Sequence, residues 1–235
     1  MKLTDNVHVL QIPRGADNPD NPLNLTLILD ERHGPTLVDT ALPDQMQAIA
    51  AALDEAGIEA RDLERIIITH QDLDHIGSAA ALVRESGARV LAHPEDVPYI
   101  EGDRRILKLT PELLEQRPQM REMLDRLEPV SVDGRLEDGD RLDLAGGVRV
   151  IFTPGHTPGH ISLYLEDPKV LISGDALTSQ DGTLNGPNQA MTMDTQTADE
   201  SVGKLAGLDV QTIVCYHGGV VSENASGQLH GVLRG

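Results

Sequence analysis

Aromatic side chains are almost missing from this chain of 235 residues: there is no Trp, Phe152 is the single Phe, and aromatics total 2%. The interior must therefore be filled by Leu, Ile, Val and Ala. Cysteine is nearly absent too. Cys215 alone excludes an intrachain disulfide, so a reducing cytoplasm is the expected compartment, and the residue reads as a small core side chain rather than a nucleophile. No run approaches the ~20 apolar residues of a membrane span. The first fifteen residues hold no apolar stretch of the kind a signal peptide needs. Basic residues are outnumbered, 19 against 38 acidic, for a formal charge of -19. Such a surface repels nucleic acid and anionic lipid, whose binding depends on Lys and Arg contacts to phosphate. The partner expected is a small-molecule substrate, with no nucleic acid and no membrane.

The length fits a single domain spanning 1–235. Residues 25–29 (LTLIL) and 36–39 read as strands on either side of a turn, the start of a meander. Met46, Ile49, Ala50 and Leu53 fall at helical spacing, with Gly57 at the stop. Strands follow at 65–69, 88–92, 130–132, 148–153, 161–166, 170–173 and 212–216, with helices at 79–85 and 198–205. Residues 107–127 read as helical, with Pro111 near the start and Pro118 as an interruption. Strands with helices outside them point to sheets covered by helices.

Four polar clusters carry the chemistry, each directly after a predicted strand. The first is His70-Gln71-Asp72-Leu73-Asp74-His75, four metal-ligand side chains within six residues. The second is Thr153-Pro154-Gly155-His156-Thr157-Pro158-Gly159-His160, where Pro and Gly fix a tight loop. Asp175 follows Ser173-Gly174, and His217 precedes Gly218-Gly219. Each has an ordinary reading when taken alone: Asp72 or Asp175 as a helix cap, a lone His hydrogen-bonded to backbone. Together they are far more specific, because strand C-terminal ends converge on one edge of a layered α/β protein. Imidazole with carboxylate suits zinc, iron or manganese.

The order THxxxDHxG, TPGHTPGH, SGD and a late HG resembles the metallo-β-lactamase superfamily, over a span from Asp39 to Gly218. The resemblance implies an α+β fold, a four-layer αββα sandwich with two divalent ions (Zn, Mn or Fe) at its edge. By that resemblance His70 and His156 bind one ion, Asp74, His75 and His217 bind the other, and Asp175 bridges them. Asp74 would also act in proton transfer, Asp39 would orient a ligand His, and His160 would stand behind the ligands. One position departs from the family's HxHxDH: Asp72 replaces the middle His. It can ligate through oxygen, which favours manganese or iron. If it turned away, the first site would be weak. The resemblance is nearest to glyoxalase-II-like proteins and N-acyl homoserine lactonases.

The expected function is hydrolysis of a small ester, thioester or lactone by hydroxide generated at a metal pair. The alternatives are a sulfur dioxygenase or other redox member, a β-lactamase, a nuclease (disfavoured by the charge) and a non-catalytic metal-binding protein. Specificity is expected in loops and in a helical insertion at 101–128, as a lid or as a contact in a homodimer. Among the remaining candidates, His93 reads as a packing or capping residue and Tyr216 as core. Asn185 and Asn188 read as turn residues within reach of substrate.

Overall fold

Alternation along the strands builds the layers of this protein. The computed structural model describes residues 1–14 and 21–233. Gly15, the last residue of the N-terminal stretch read for a signal peptide, lies outside them; every candidate site residue lies within. In β1 (Val7–Ile12) Val7 and Val9 face one side and Leu10 and Ile12 the other. The same division holds in β2 (Leu23–Ile28), β3 (Thr36–Val38), β4 (Arg65–Ile68) and β5 (Arg89–Ala92), which with β6 (Gly134–Arg135) form a sheet in the order β1-β2-β3-β4-β5-β6. A second sheet is begun by β7 (Arg141–Leu142), β8 (Val148–Phe152), β9 (Ile161–Leu165) and β10 (Val170–Gly174). A separate hairpin of β11 (Thr178–Gln180) and β12 (Thr183–Asn185) follows. The second sheet is then completed by β13 (Thr212–Cys215) and β14 (Gly219–Val221), in the order β14-β13-β10-β9-β8-β7.

Three apolar clusters separate four layers. Between the sheets lie Val9, Ile67, Leu91, Val150, Leu163, Ile172 and Val214. On the outer face of the first sheet, Leu25, Leu37, Ile66 and Val90 pack with residues of α1 (Met46–Glu55), α3 (Ala79–Ser86) and α4 (Val97–Ile100). On the outer face of the second, Leu171, Ile213 and Cys215 pack with α7 (Thr195–Leu205) and α8 (Ala225–Val232). This is the αββα sandwich expected from the sequence. Alternation with both faces buried is what fills three interfaces from a chain with so few aromatics.

Two segments refine the sequence reading. Residues 107–127 form α5 (Pro111–Gln116) and α6 (Pro118–Arg126), divided at Pro118, and Thr110 caps α5 by accepting from Leu113 N at 3.3 Å. The strand expected at 130–132 is absent; pairing with β5 begins at Gly134. The cause is Asp133. Its N–H donates to Val90 O and its carboxylate accepts from Val90 N, both at 2.8 Å, so one residue takes the partners that a longer strand would share.

Directionality positions the site. Strands β3, β4 and β5 are parallel, as are β10 and β13, and β8 runs with β10 because both are antiparallel to β9. The C-terminal ends of β4, β8, β10 and β13 therefore carry the four polar clusters. Asn24 joins the sheets there, its N and Nδ2 both donating to Tyr216 O at 3.0 Å. No helix among the described residues is long and apolar enough to cross a membrane.

Candidate metal centre

Beyond β4 the chain runs through His70 and Asp72 into a single helical turn, α2 (Leu73–Ile76), which carries Asp74 and His75. Asp72 holds the N-cap backbone position, yet its side chain makes no capping hydrogen bond. It turns inward instead. Asp175, by contrast, begins no helix. The capping explanation for both acids therefore fails. After β8, Gly155 adopts φ +124°, and a Cβ there would collide with the backbone of Ala198 in α7. The contact seats the His156 loop on that helix, where Gly155 O accepts from Met193 N at 3.1 Å and Asp194 N at 2.9 Å.

Three imidazoles converge on one carboxylate. Asp175 Oδ1 lies 3.3 Å from His75 Nε2, and Asp175 Oδ2 lies 3.3 Å from both His156 Nε2 and His217 Nε2. Asp72 Oδ2 is 3.0 Å from His156 Nε2 and 3.4 Å from His70 Nε2, and Asp74 Oδ2 is 3.4 Å from His217 Nε2. Two compact donor groups result: His70, His156 and Asp175; and Asp74, His75 and His217. The structure thus brings together all seven residues singled out in the sequence. Asp72 stands beside the first group and is not one of its three mutually close members.

Whether these donors fit metal ions can be judged from what they lack. His70 Nε2, His75 Nε2, Asp72 Oδ1 and Asp175 Oδ1 are buried with no hydrogen-bond partner. Leaving a buried polar atom unpaired costs about 1–3 kcal/mol, and unpaired atoms on these clustered ligand side chains are explained if cations take up their lone pairs. Nitrogen and carboxylate oxygen suit zinc, manganese or iron. The field agrees. Burial disfavours charge on His75, but Asp39 and Asp175 outweigh it and hold its pKa well above the usual histidine range. His217 is raised for the same reason, burial being outweighed chiefly by Asp175. Burial works against an ionised Asp175, yet His217, His75 and His156 hold its carboxyl well below the usual range. Carboxylates that stabilise imidazolium in this way also attract a divalent ion.

A layer of hydrogen bonds behind the donors fixes their orientation. Asp39, 1% exposed, accepts from His75 Nδ1 at 2.9 Å and from Thr69 N and Oγ1 at 2.8 and 2.9 Å. Since Thr69 Oγ1 donates to Asp39, it accepts from His70 Nδ1 at 3.0 Å. One acid therefore sets both rings with Nε2 facing the site. His160 Nε2 accepts from Asp175 N at 3.0 Å and its Nδ1 meets Thr153 Oγ1 at 2.8 Å, so the ring is neutral; burial takes its pKa down to about 3. Its role is to fix the Asp175 backbone. Replacing Asp39 by Asn keeps a residue tolerant of the local left-handed backbone (φ +64°) while removing the charge. Metal affinity is expected to fall about 10- to 100-fold with the fold intact. Competition titration against a chromophoric chelator, alongside circular dichroism, checks this.

Tyr216 is buried, as expected for core, and it also borders the site. Its ring centroid lies 3.8 Å from that of His75 and its hydroxyl donates to the backbone oxygen of Asp74. His93 both packs and caps, stacked on Phe152 at 4.2 Å with Nδ1 accepting from Glu95 N at 3.3 Å. Asn188 caps a short turn through Ala190 N at 3.1 Å and also lines the cleft over the metal centre; Asn185 bonds locally to Thr183 O. Three residues were not anticipated. Asp96 ties together the loops carrying His70 and His156, Lys108 places its ammonium against Asp72 and His156, and Arg14 lies 3.7 Å from Asp74. Gln71 was visible in the first cluster as a residue between ligands, but nothing local marked its partner.

The cleft above the centre has a volume of about 870 Å³. Leu42, Met120, Met123 and Met191 supply apolar wall, and Arg14 and Arg117 supply cations, with Gln116 to Met120 coming from the α5–α6 segment.

Comparison with known proteins gives a consistent result. A family model described as the metallo-beta-lactamase superfamily matches residues 19–217. A Bacillus subtilis protein named probable metallo-hydrolase YflN is 30% identical over 203 residues, 80% of this chain and 76% of that protein. A hydroxyacylglutathione hydrolase of Rhodopseudomonas palustris is 31% identical over 150 residues; the match takes in 63% of this chain and 46% of that enzyme. Among solved structures, the metallo-beta-lactamase family protein TTHA1429 of Thermus thermophilus superimposes with a TM-score of 0.80 at 26% identity, covering 99% of this chain and 80% of that one. The archaeal superfamily protein ST1585 of Sulfolobus tokodaii superimposes with a TM-score of 0.76 at 22% identity, over 97% and 85% of the two chains.

Proposed function

This chain belongs to the metallo-beta-lactamase superfamily and is a metal-dependent hydrolase, and from that premise we propose that it cleaves a small ester, thioester or lactone at a site for two divalent ions. The observation that carries the proposal is the meeting of His75, His156 and His217 on the single carboxylate of Asp175, each at 3.3 Å. His70, His156 and Asp175 would hold one ion, with Asp72 within reach. Asp74, His75 and His217 would hold the other, with Asp175 shared. Such ions supply Lewis-acid polarisation of the scissile carbonyl and bring the pKa of water toward ~7.

The chain's own residues do the rest. Asp74 Oδ2 takes the proton released as water attacks, and Arg14 stands 3.7 Å from it. Tyr216 holds the Asp74 backbone in place. Asp39 keeps His70 and His75 in the orientation that presents Nε2. Methionine in the cleft wall adapts to varied acyl groups because it is unbranched and polarizable, and Arg14 and Arg117 favour a substrate with an anionic end.

The test is elemental analysis of protein purified without a chelating tag, followed by a panel of aryl esters, thioesters and lactones. Chelator-reversible hydrolysis of one class is the expected result. Metal-loaded protein inert toward the whole panel would overturn the reading, and oxygen uptake with a persulfide substrate would redirect it to sulfur dioxygenation.

A further inference from the structure

Lys108 lies on the segment between α4 and α5, and its ammonium reaches the metal centre. Nζ is 2.6 Å from Asp72 Oδ2 and 2.6 Å from His156 Nε2, with the side chain 13% exposed. The placement is built into the fold. Ile106 and Leu109 on either side are buried in the core. Leu107 N donates to Gln71 Oε1 at 2.9 Å, and Gln71 Nε2 donates to Asp96 Oδ1 at 2.9 Å. The backbone bearing Lys108 is thereby fastened to the loop bearing His70 and Asp72.

We propose that Lys108 is a built-in competitor for the first cation, so that the two metal positions are unequal and fill in sequence. This rests on the two-ion reading above. Asp72 adds a negative charge where the superfamily pattern resembled here has a neutral His. Lys108 adds the compensating positive charge in contact with it. Asp72 Oδ2 and His156 Nε2 are then shared between an ammonium and any cation held by His70, His156 and Asp175, and like charges at contact distance repel. The second group differs: the nearest fixed cation, Arg14, is 3.7 Å from Asp74 and touches neither of its imidazoles within ion-pairing distance among the described residues. With the ammonium off Asp72 Oδ2 and His156 Nε2, both atoms would be free to face a cation.

The experiment is calorimetric titration of chelator-treated protein with zinc, and separately with manganese, monitored alongside elemental analysis. Wild type is expected to bind in two steps whose affinities differ by about 100-fold or more, the sum of a lost ligand contact and like-charge repulsion. Lys108→Met should tighten the weak step at least ~10-fold and leave the tight step in place, while Lys108→Arg, which retains the charge, should not. Lys108→Gln is a second neutral variant should the Met form fold poorly. His217→Ala should remove the tight step, which assigns it to the second group. Two equal steps in wild type, or a weak step unmoved in both neutral variants, would overturn the proposal and leave the two-ion reading standing. Absence of any cation binding in all variants would overturn both.

Discussion

Replacing Asp175 by Ala is expected to lower turnover about 1000-fold and to reduce bound metal from two ions to one or fewer. The magnitude follows from what the side chain touches. Its two oxygens meet His75, His156 and His217, so it contacts imidazoles of both donor groups. Lewis-acid assistance is worth several kcal/mol, and about 4 kcal/mol corresponds to roughly three powers of ten in rate. The loss is also electrostatic. Burial opposes charge on His75 and His217, and Asp175 is a principal reason both are raised. Without it, three imidazoles face one another with less to hold a cation. Asp175→Asn should fall nearly as far in turnover, since it keeps the shape and removes the charge. Steady-state kinetics with elemental analysis of each variant is the check; full metal content with full turnover in Asp175→Ala would remove the basis for the shared-carboxylate arrangement.

Asp175 was legible in the sequence because its position repeats that of the other clusters. It follows an apolar strand and a glycine, as His70, His156 and His217 follow apolar strands, and strand C-terminal ends share an edge in layered proteins. Gly174 adds a physical reason: its φ is +52°, and a Cβ there would come within 2.6 Å of His160 Nε2, the atom that fixes Asp175 N. The layers were legible for a related reason. Ile66, Ile67 and Ile68 read as one apolar run, and a strand buried on both faces must look like that. The missed strand boundary at Asp133 depended on a side chain imitating backbone, which composition does not reveal. Lys108 and Asp96 were illegible because their partners are remote. Lys108 is 36 residues from Asp72 and 48 from His156, and Asp96 is 61 residues from Thr157.

Asp96→Ala is expected to destabilise the protein by about 3–5 kcal/mol and to loosen both ligand loops together. Asp96 is fully buried, and its carboxylate accepts four hydrogen bonds: from Gln71 N and Thr157 Oγ1 at Oδ2, at 2.9 and 2.8 Å, and from Gln71 Nε2 and Gly159 N at Oδ1, both at 2.9 Å. Gln71 sits between His70 and Asp72. Thr157 follows His156, and Gly159 precedes His160. One side chain thus clamps the loop after β4 to the loop after β8, and these loops carry His70, Asp72 and His156. Removal leaves four donors without an acceptor, each worth about 1–3 kcal/mol when buried. The total stays below their sum because burial raises the Asp96 pKa, so an ionised carboxylate is costly in that place and its loss gives some of this back. Asp96→Asn retains one carbonyl oxygen for two of the donors and should fall between wild type and Ala. The distinguishing readout is the pattern of metal binding: with the first group's His70 and His156 no longer held to each other, its step should weaken, while the step assigned to Asp74, His75 and His217 should move less. Denaturant unfolding with metal titration of the three proteins measures both effects, and an unaltered first step in a destabilised Asp96→Ala protein would confine Asp96 to a purely structural role.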